Sequence, residues 1–386
     1  MNVLIIGAGS TGLLLAQGLK QVRSPLLPAN VTVCERDSHE RYHGRPRDWG
    51  MTLHWGHKLL RQMLSPDLRQ RIHEAVCNPH RGRDSEELVH YAGHTGEVLF
   101  RTPVTDAVRV SRRKLRMLLS EGIDIRFGKL LRSIVKTDSN VVASFEDGDH
   151  IEADLIVGCD GAHSRVRAQL LGEEAATAKL LDVYMFNFIA RYDADTARML
   201  WENHPVFFNS VHPNRSFFWL STQEVPDLER PETWTFQNLL VWRGAPTPSD
   251  LKTQELRSSY FRSQADAFAE PWKTVFKSLP ENANLDIDTV SIWKPIRWSD
   301  SSLAGRVTLA GDAAHAMSPH RGQGLNAAFE DAALLTQLLS NAEQCPQAWQ
   351  AAVNAYDEEM RPRGLREVQI SESMVQMFHD WDNVVG

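Results

Sequence analysis

The sequence predicts an α/β protein whose chain leaves a parallel nucleotide-binding sheet and later re-enters it. Three observations carry this. Gly7, Gly9 and Gly12 form a G-x-G-x-x-G pattern between the apolar run Val3 to Ile6 and a helical run. Residues 305–335 read GRVTLAGDAAHAMSPHRGQGLNAAFEDAALL, a short strand, a Pro/Gly loop and a helix. Between these ends the character changes, with seven of the eleven tryptophans falling between Leu180 and Trp298.

Taken in order, Val3 to Ile6 form a first strand and about Thr11 to Lys20 a helix, with Ser24 to Asn30 a loop and Val31 to Cys34 a second strand. The first glycine permits the tight turn, the second lets a pyrophosphate approach the backbone, and the third lets helix pack on strand. Glu35 ends the second strand, near the ~20-residue offset of an acid that binds ribose hydroxyls. That combination defines a Rossmann-type unit. A mixed region follows to Asp106; Val110 to Leu119 suits a helix, and Ile123 to Phe127, Ile134, Val141 to Phe145 and Leu155 to Val157 read as strands. SFFWLS and NLLVWR in the middle, broken by Pro, Asp and Asn, read as a sheet. The expected organisation is residues 1–179, with inserted substrate-side segments around 48–106, then a β-rich unit at 180–298, then the return and C-terminal helices at 299–386. Along the last helix Met374, Met377, Phe378 and Trp381 make an apolar stripe that docks on the core.

Composition narrows the function classes. A formal charge of −7 and no long basic run argue against nucleic acid. No segment approaches the ~20 apolar residues of a membrane span. The four cysteines fit no metal spacing, and Cys34 and Cys159 lie in apolar runs, as buried thiols in a reducing cytoplasm would. No metal site is expected at His54, His57, His315 or His320, since no carboxylate or cysteine shares their spacing.

In the 305–335 run, Val307 to Ala310 are a strand that delivers Asp312 at its end. Gly322 and Gly324 then expose loop amides before a helix that opens near Leu325. A carboxylate acceptor, bare N–H groups and a positive helix end suit a ligand with sugar-like hydroxyls and a ring that holds negative charge. A flavin has both. With the first fingerprint, FAD is the expected cofactor.

A third string, Asp160-Gly161-Ala162-His163-Ser164-Arg165-Val166-Arg167, directly follows Leu155 to Val157. With these three motifs in this order, the chain resembles the class A (single-component) FAD-dependent monooxygenases, the para-hydroxybenzoate and salicylate hydroxylase group. The resemblance spans residues 1 to about 170 and 290 to about 370. RPRDWGMTLHWG and HRGQGLN are most similar to fungal members that tailor secondary metabolites. It implies that Asp312 binds the ribityl chain and that Gly322 and Gly324 face the isoalloxazine. It also implies that Asp160 links flavin and nicotinamide binding, and that Arg112, in R-x-x-L-x-x-x-L, lies near the phosphate and ribityl chain. Arg47 corresponds to a mobile-loop arginine near the pyrophosphate, with Gly50 giving backbone contact. The implied reaction uses NADPH or NADH and O₂, through a flavin C4a-hydroperoxide, to hydroxylate or epoxidise a bulky aromatic or alkene-containing small molecule. No second G-x-G-x-x-G is present, so NAD(P)H would dock transiently. A flavin reductase or dehydrogenase on the same scaffold, and a non-redox cyclase or binding protein, remain open alternatives. The catalytic acid or base is not assigned.

Overall fold

The computed structural model describes residues 1–22, 30–45, 47–80, 87–104, 107–204, 206–343 and 345–385; the expected loop from Ser24 lies outside them, Asn30 apart. A five-stranded sheet runs in the order Val307–Leu309, Leu155–Gly158, Asn2–Ile6, Asn30–Cys34, Asp124–Arg126, all parallel. Its central strands are near-continuous apolar runs because both faces are covered. The helix Ser10–Gln21 packs on the helix Gly324–Asn341 at Gly18, where a Cβ would lie 2.9 Å from Thr336 Oγ1. Ile6 pairs level with Cys34 and Gly158, and Gly158 with Leu309. Gly7, Glu35, Cys159 and Ala310 therefore all leave the sheet at one edge, the carboxyl ends where ligands bind in such sheets.

Residues 108–111 correct the expected helix from Val110. Val108–Ser111 is a strand antiparallel to Gly50–Leu53, and the helix is Arg112–Ser120. The Ser111 side chain accepts from the Lys114 amide at 3.1 Å and so caps that helix. The alternation of Val108 and Val110 marks the strand; the run of long side chains behind it masks the boundary. A meander of Leu131–Lys136, Val141–Phe145 and His150–Ala153 precedes the strand Leu155–Gly158.

The second sheet has seven strands, in the order Ile287–Ile292, Lys179–Ala190, Thr235–Arg243, Ser216–Glu224, Phe207–His212, Glu87–Ala92, Val98–Pro103. Every pair is antiparallel except Phe207–His212 with Glu87–Ala92. Period-two alternation sorts its side chains. One face sends Phe186, Phe188, Phe218, Phe236 and Trp242 into an aromatic core with Phe261, Trp272 and Phe276. Those last residues sit on or beside the helices Gln254–Ser263 and Trp272–Lys277, which the reading of the middle as sheet did not anticipate. Aromatic enrichment suggests strands, but here part of it is the helical layer covering them. Truncating Trp272 there would cost ~3–5 kcal/mol.

The opposite face carries, in one cross-strand row, His90, Asn209, Trp219, Leu239 and Asn187. Against it pack Val375 and Phe378 of the helix Pro346–Phe378, with Met374, Met377 and Trp381 beside them. The C-terminal stripe docks as its spacing predicts. Among the described residues no helix is long and apolar enough to cross a membrane.

Further up that helix, Asp357 accepts from Trp298 Nε1 at 2.9 Å and from Thr308 Oγ1. Burial pushes its carboxyl up to about 7, against the pull of those hydrogen bonds. Because the folded-state value exceeds the unfolded one, its contribution is complete below about pH 4 and is lost as pH rises through about 7. The Asp357→Asn variant is expected to gain on wild type over that window, by on the order of 2–4 kcal/mol at pH 8. Urea melts at pH 5 and pH 8 check this, and a pH-independent difference would contradict it.

Candidate active site

Backbone contact builds the floor of the crevice. Gly7 sits at φ +110°, and a Cβ there would lie 2.4 Å from the Cys159 carbonyl oxygen. A Cβ on Gly12 would lie 2.2 Å from the Gly7 oxygen. Both positions exclude side chains. Gly9 differs: nothing lies within 4 Å of its Cβ position, and it precedes the helix Ser10–Gln21 with no side-chain cap. The helix therefore presents bare N–H groups and its positive end to open space, a ready anion site. Glu35 is buried beside this loop, its two carboxylate oxygens accepting from the Ala8 amide at 3.0 Å and the Asp37 amide at 3.1 Å.

Arginines supply the next wall. Arg116, 4% exposed, stacks on Tyr42 with its guanidinium 3.9 Å from the ring centre, and its Nε has no partner. Tyr42 in turn donates to the Ala8 carbonyl at 2.9 Å, which ties the arginine to the glycine loop. Arg112 stacks on Trp49 at 4.5 Å, and burial, with Arg116 and Arg45 nearby, pushes it down to about 10. Among the described residues neither Arg112 nor Arg116 has a carboxylate partner. Cations held together without counter-ions are costly, and a pyrophosphate relieves that cost. Arg116 is absent from the site expected on sequence, although it lies one helical turn beyond Arg112.

Asp160 is held by its own loop. It accepts from Ser164 Oγ at 2.5 Å and from the Arg165 and Val166 amides at 2.7 and 3.2 Å, boxing the start of the helix Arg165–Leu171. Arg167, fully buried, donates to the carbonyls of Ala162 (2.6 Å), Ala176 (2.9 Å) and Ala313 (2.9 Å) and stacks on Trp293 at 4.5 Å. It joins the second motif to the third. Sequence quoted it without a role.

Asp312 projects into the crevice, and no protein group among the described residues hydrogen-bonds its carboxylate. The surrounding walls push its carboxyl up, against the opposing pull of His315 and Arg112. The turn that presents it is anchored by Asp331, which is 0% exposed. Asp331 accepts from the Gly311 amide (2.7 Å), contacts His315 Nε2 (2.7 Å) and pairs with Arg363 (3.0 Å). His315 is thus a buried, bonded packing residue. Gly322 adopts left-handed φ +64° with nothing near its Cβ position, but its amide, expected to be bare, donates to the Pro319 carbonyl at 2.9 Å because it closes the 319–321 turn. A Cβ on Gly324 would come 3.8 Å from Asp312 Oδ1. The helix Gly324–Asn341 starts there without a side-chain cap, so its amides and the Asp312 carboxylate line one gap. Asn326 fixes that helix to the neighbouring segment, accepting from the His54 and Gly56 amides and donating to the Thr52 carbonyl. His54 is half-buried, and burial with Arg321 lowers its pKa.

Two expected residues stand apart from the glycine loops. Arg47 forms a two-pronged ion pair with Asp288 and donates to the Asn187 carbonyl at 3.1 Å, so it binds the edge of the seven-stranded sheet. Gly50 donates its amide to Gln237 Oε1 at 2.9 Å, and a Cβ there would meet Arg109 at 2.6 Å. Opposite the 319–324 loop stands the second sheet, with His320 stacked on Phe217 at 5.9 Å. Among the described residues no cluster of His, Cys, Asp or Glu could hold a metal.

The crevice fits FAD on three counts: an open helix end with two uncompensated arginines for phosphates, a carboxylate for hydroxyls, and bare amides for a ring edge. Known proteins agree. The chain matches the FAD binding domain over residues 1–371. It is 33% identical to the FAD-dependent monooxygenase phnB of Penicillium herquei over 99% of this chain and 92% of that protein. It is 34% identical to the FAD-dependent monooxygenase cctM of Talaromyces islandicus, over 99% and 94% respectively. In fold it is similar to Klebsiella pneumoniae HpxO complexed with FAD and uric acid, with a TM-score of 0.77 at 21% identity over 99% of this chain and 90% of that one. A salicylate hydroxylase substrate complex gives a TM-score of 0.74 at 19% identity, over 98% and 89%. A chain that matches that domain over residues 1–371 and is 33% and 34% identical, over 99% of its length, to two FAD-dependent monooxygenases belongs to that family.

Proposed function

We propose that this chain uses NADPH or NADH and O₂ to hydroxylate or epoxidise a bulky aromatic or alkene-containing small molecule in secondary metabolism. The balance is one NAD(P)H, one proton, one O₂ and one substrate giving NAD(P)⁺, water and the oxygenated product. FAD, when bound, supplies the redox and oxygen chemistry. The observation that carries the reading is the gap between Asp312 and the uncapped 322–324 segment, faced by a sheet of mixed apolar and polar side chains. The fungal relatives, named as FAD-dependent monooxygenases, support it, and so does the salicylate hydroxylase fold.

The chain's own residues divide the work. The helix end at Gly9, with Arg112 and Arg116, holds the pyrophosphate; Glu35 accepts from the adenosine ribose. Asp312 accepts from ribityl hydroxyls. The uncapped amides that open the helix at Gly324 would donate to the pyrimidine edge of the ring and stabilise negative charge there, as preorganised donors do. The Gly322 amide is already given to the Pro319 carbonyl. The apolar residues Trp219 and Leu239 on the sheet face opposite the 319–324 loop would help exclude water from the substrate side of a bound flavin. Asp160 acts through the helix it caps, setting the second loop against the first.

Three measurements test this. Asp312→Ala loses a charge-assisted hydrogen bond worth ~1.5–3 kcal/mol, so FAD affinity is expected to fall about 10- to 100-fold and the protein to purify colourless. Full yellow occupancy refutes the ribityl role. Arg116→Met is expected to weaken FAD at least as much at low salt, read by flavin fluorescence on dilution; unchanged affinity separates Arg116 from the phosphates. With ¹⁸O₂ and a turned-over aromatic substrate, label is expected in the product, whereas a reductase or dehydrogenase on this scaffold leaves it unlabelled.

A further inference from the structure

Arg109 is a buried cation that the cofactor does not explain. It is 6% exposed, on the strand Val108–Ser111, and it reaches toward the seven-stranded sheet. Its guanidinium donates to Thr52 Oγ1 at 3.2 Å and to Gln237 Oε1, both neutral, and lies 5.8 Å from the ring centre of Trp219. Its Nε has no partner. Among the described residues no carboxylate pairs with it. Asp48, the acid whose field reaches it, is committed to Ser111 Oγ (2.6 Å), the Arg113 amide (2.9 Å) and Gln223 Nε2 (3.0 Å).

Among the described residues the sheet beneath it carries five more buried side-chain atoms without a partner: Ser210 Oγ and Thr222 Oγ1 on the aromatic-core face, and His90 Nδ1, Asn209 Oδ1 and Ser221 Oγ on the face toward Arg109. Asn209 pairs across from Trp219, and its side-chain oxygen is buried without a partner at 1% exposure. Ser221 pairs across from Gln237, the acceptor for Arg109, and its buried hydroxyl is also unpartnered. Asn209 and Ser221 share the sheet face that carries Trp219 and Phe217, and His320 of the 319–324 loop stacks on Phe217. Nature rarely leaves buried polar atoms orphaned, and one patch holding a cation, a hydroxyl and a carbonyl oxygen is incomplete. The uncompensated arginines on the dinucleotide side find their anion in the pyrophosphate. Arg109 stands on the other side, packed on Trp219 and Gln237, so its anion must come from elsewhere.

We propose that Arg109 is a specificity-determining residue that binds an ionised oxygen of the substrate, with Trp219 against its ring and Asn209 and Ser221 meeting a neighbouring hydroxyl. This rests on the monooxygenase reading above and narrows its substrate to aromatic acids, phenolates or enolates. Neutral analogues lacking that oxygen leave a buried charge unpaired and are rejected. Arg109→Lys keeps the charge but loses the planar fork, so it retains only part of the selectivity.

Calorimetric titration of the purified yellow protein tests this with 2-naphthoate against methyl 2-naphthoate, and 2-naphthol against 2-methoxynaphthalene. Wild type is expected to bind an anion at least tenfold more tightly than its neutral partner. A preference already present at pH 6 marks a carboxylate; one that grows with pH as the naphthol ionises marks a phenolate. Arg109→Met is expected to abolish the preference, weakening the anion at least tenfold and the neutral compound less than threefold. Equal wild-type affinity for every acid and its neutral partner, or no binding of either anion, overturns the proposal without any variant. So does an Arg109→Met protein that loses both partners equally or neither. FAD content, read from the visible spectrum of the same samples, separates failure of the cofactor reading from failure at Arg109.

Discussion

The crevice exists because two backbone segments touch with no side chain between them. Gly7 and Gly12 bring the first loop onto the Cys159 carbonyl and the first helix onto its strand, each at distances a Cβ cannot share. The in-register ends of the parallel strands then set the remaining loops around that contact. Glu35, Asp160 and Asp312 come from three distant parts of the chain, yet each follows the carboxyl end of a strand in one sheet. The ligand side of the fold is therefore a consequence of register. Asp331 completes it by binding the Gly311 amide, His315 and Arg363, which fixes the turn while leaving Asp312 free to face outward.

Electrostatic bookkeeping separates structural from functional groups. Asp331 and Arg363 compensate each other, and Arg167 spends its donors on named carbonyls. Asp160 fills its carboxylate with a hydroxyl and two amides. Their charges are met within the protein, although Arg363 Nη1 is itself buried without a partner among the described residues. Arg112, Arg116 and Arg109 are different, because among the described residues no carboxylate pairs with them, and Asp312 is different because no protein group there hydrogen-bonds its carboxylate. Burial makes that lack costly for Arg109 and Arg116, while Asp312 stands open to the crevice. Arg112 and Arg116 lie on the helix that follows the strand carrying Arg109, yet Arg109 packs on the second sheet through Trp219 and Gln237.

Much of this was legible in the sequence because close backbone approach leaves glycine as its signature. The three fingerprint glycines, Glu35 at the next strand end, and the Asp312 to Gly324 run each announce local geometry. The α/β class, the returning chain and the docked C-terminal stripe follow from period and spacing. What spacing could not reveal depends on partners distant in sequence. Arg116 reads as one more basic residue until Tyr42 lies under it. Arg109 stands three residues before Arg112 and reads as part of the same basic run, yet on a strand it points to the other sheet. The helices at 254–263 and 272–277 escaped because their aromatic side chains serve the sheet they cover.

The two faces of the seven-stranded sheet bury different partners. One face is a continuous aromatic core, Phe186 through Trp242, whose packing fixes the strands and tolerates little change. The other alternates with it residue by residue, so each core side chain on a strand places its neighbour on the face that meets the C-terminal helix and the 319–324 loop. Phe218 in the core puts Trp219 on the opposite face, and Leu240 puts Leu239 there. Both faces are buried, Asn209 at 1% and Ser221 at 0% exposure, so the second face is as closely packed as the first. If Arg109 reads the substrate as proposed, substitutions at Asn209, Trp219 or Ser221 would alter what is accepted while the core residues beside them keep the strands in register.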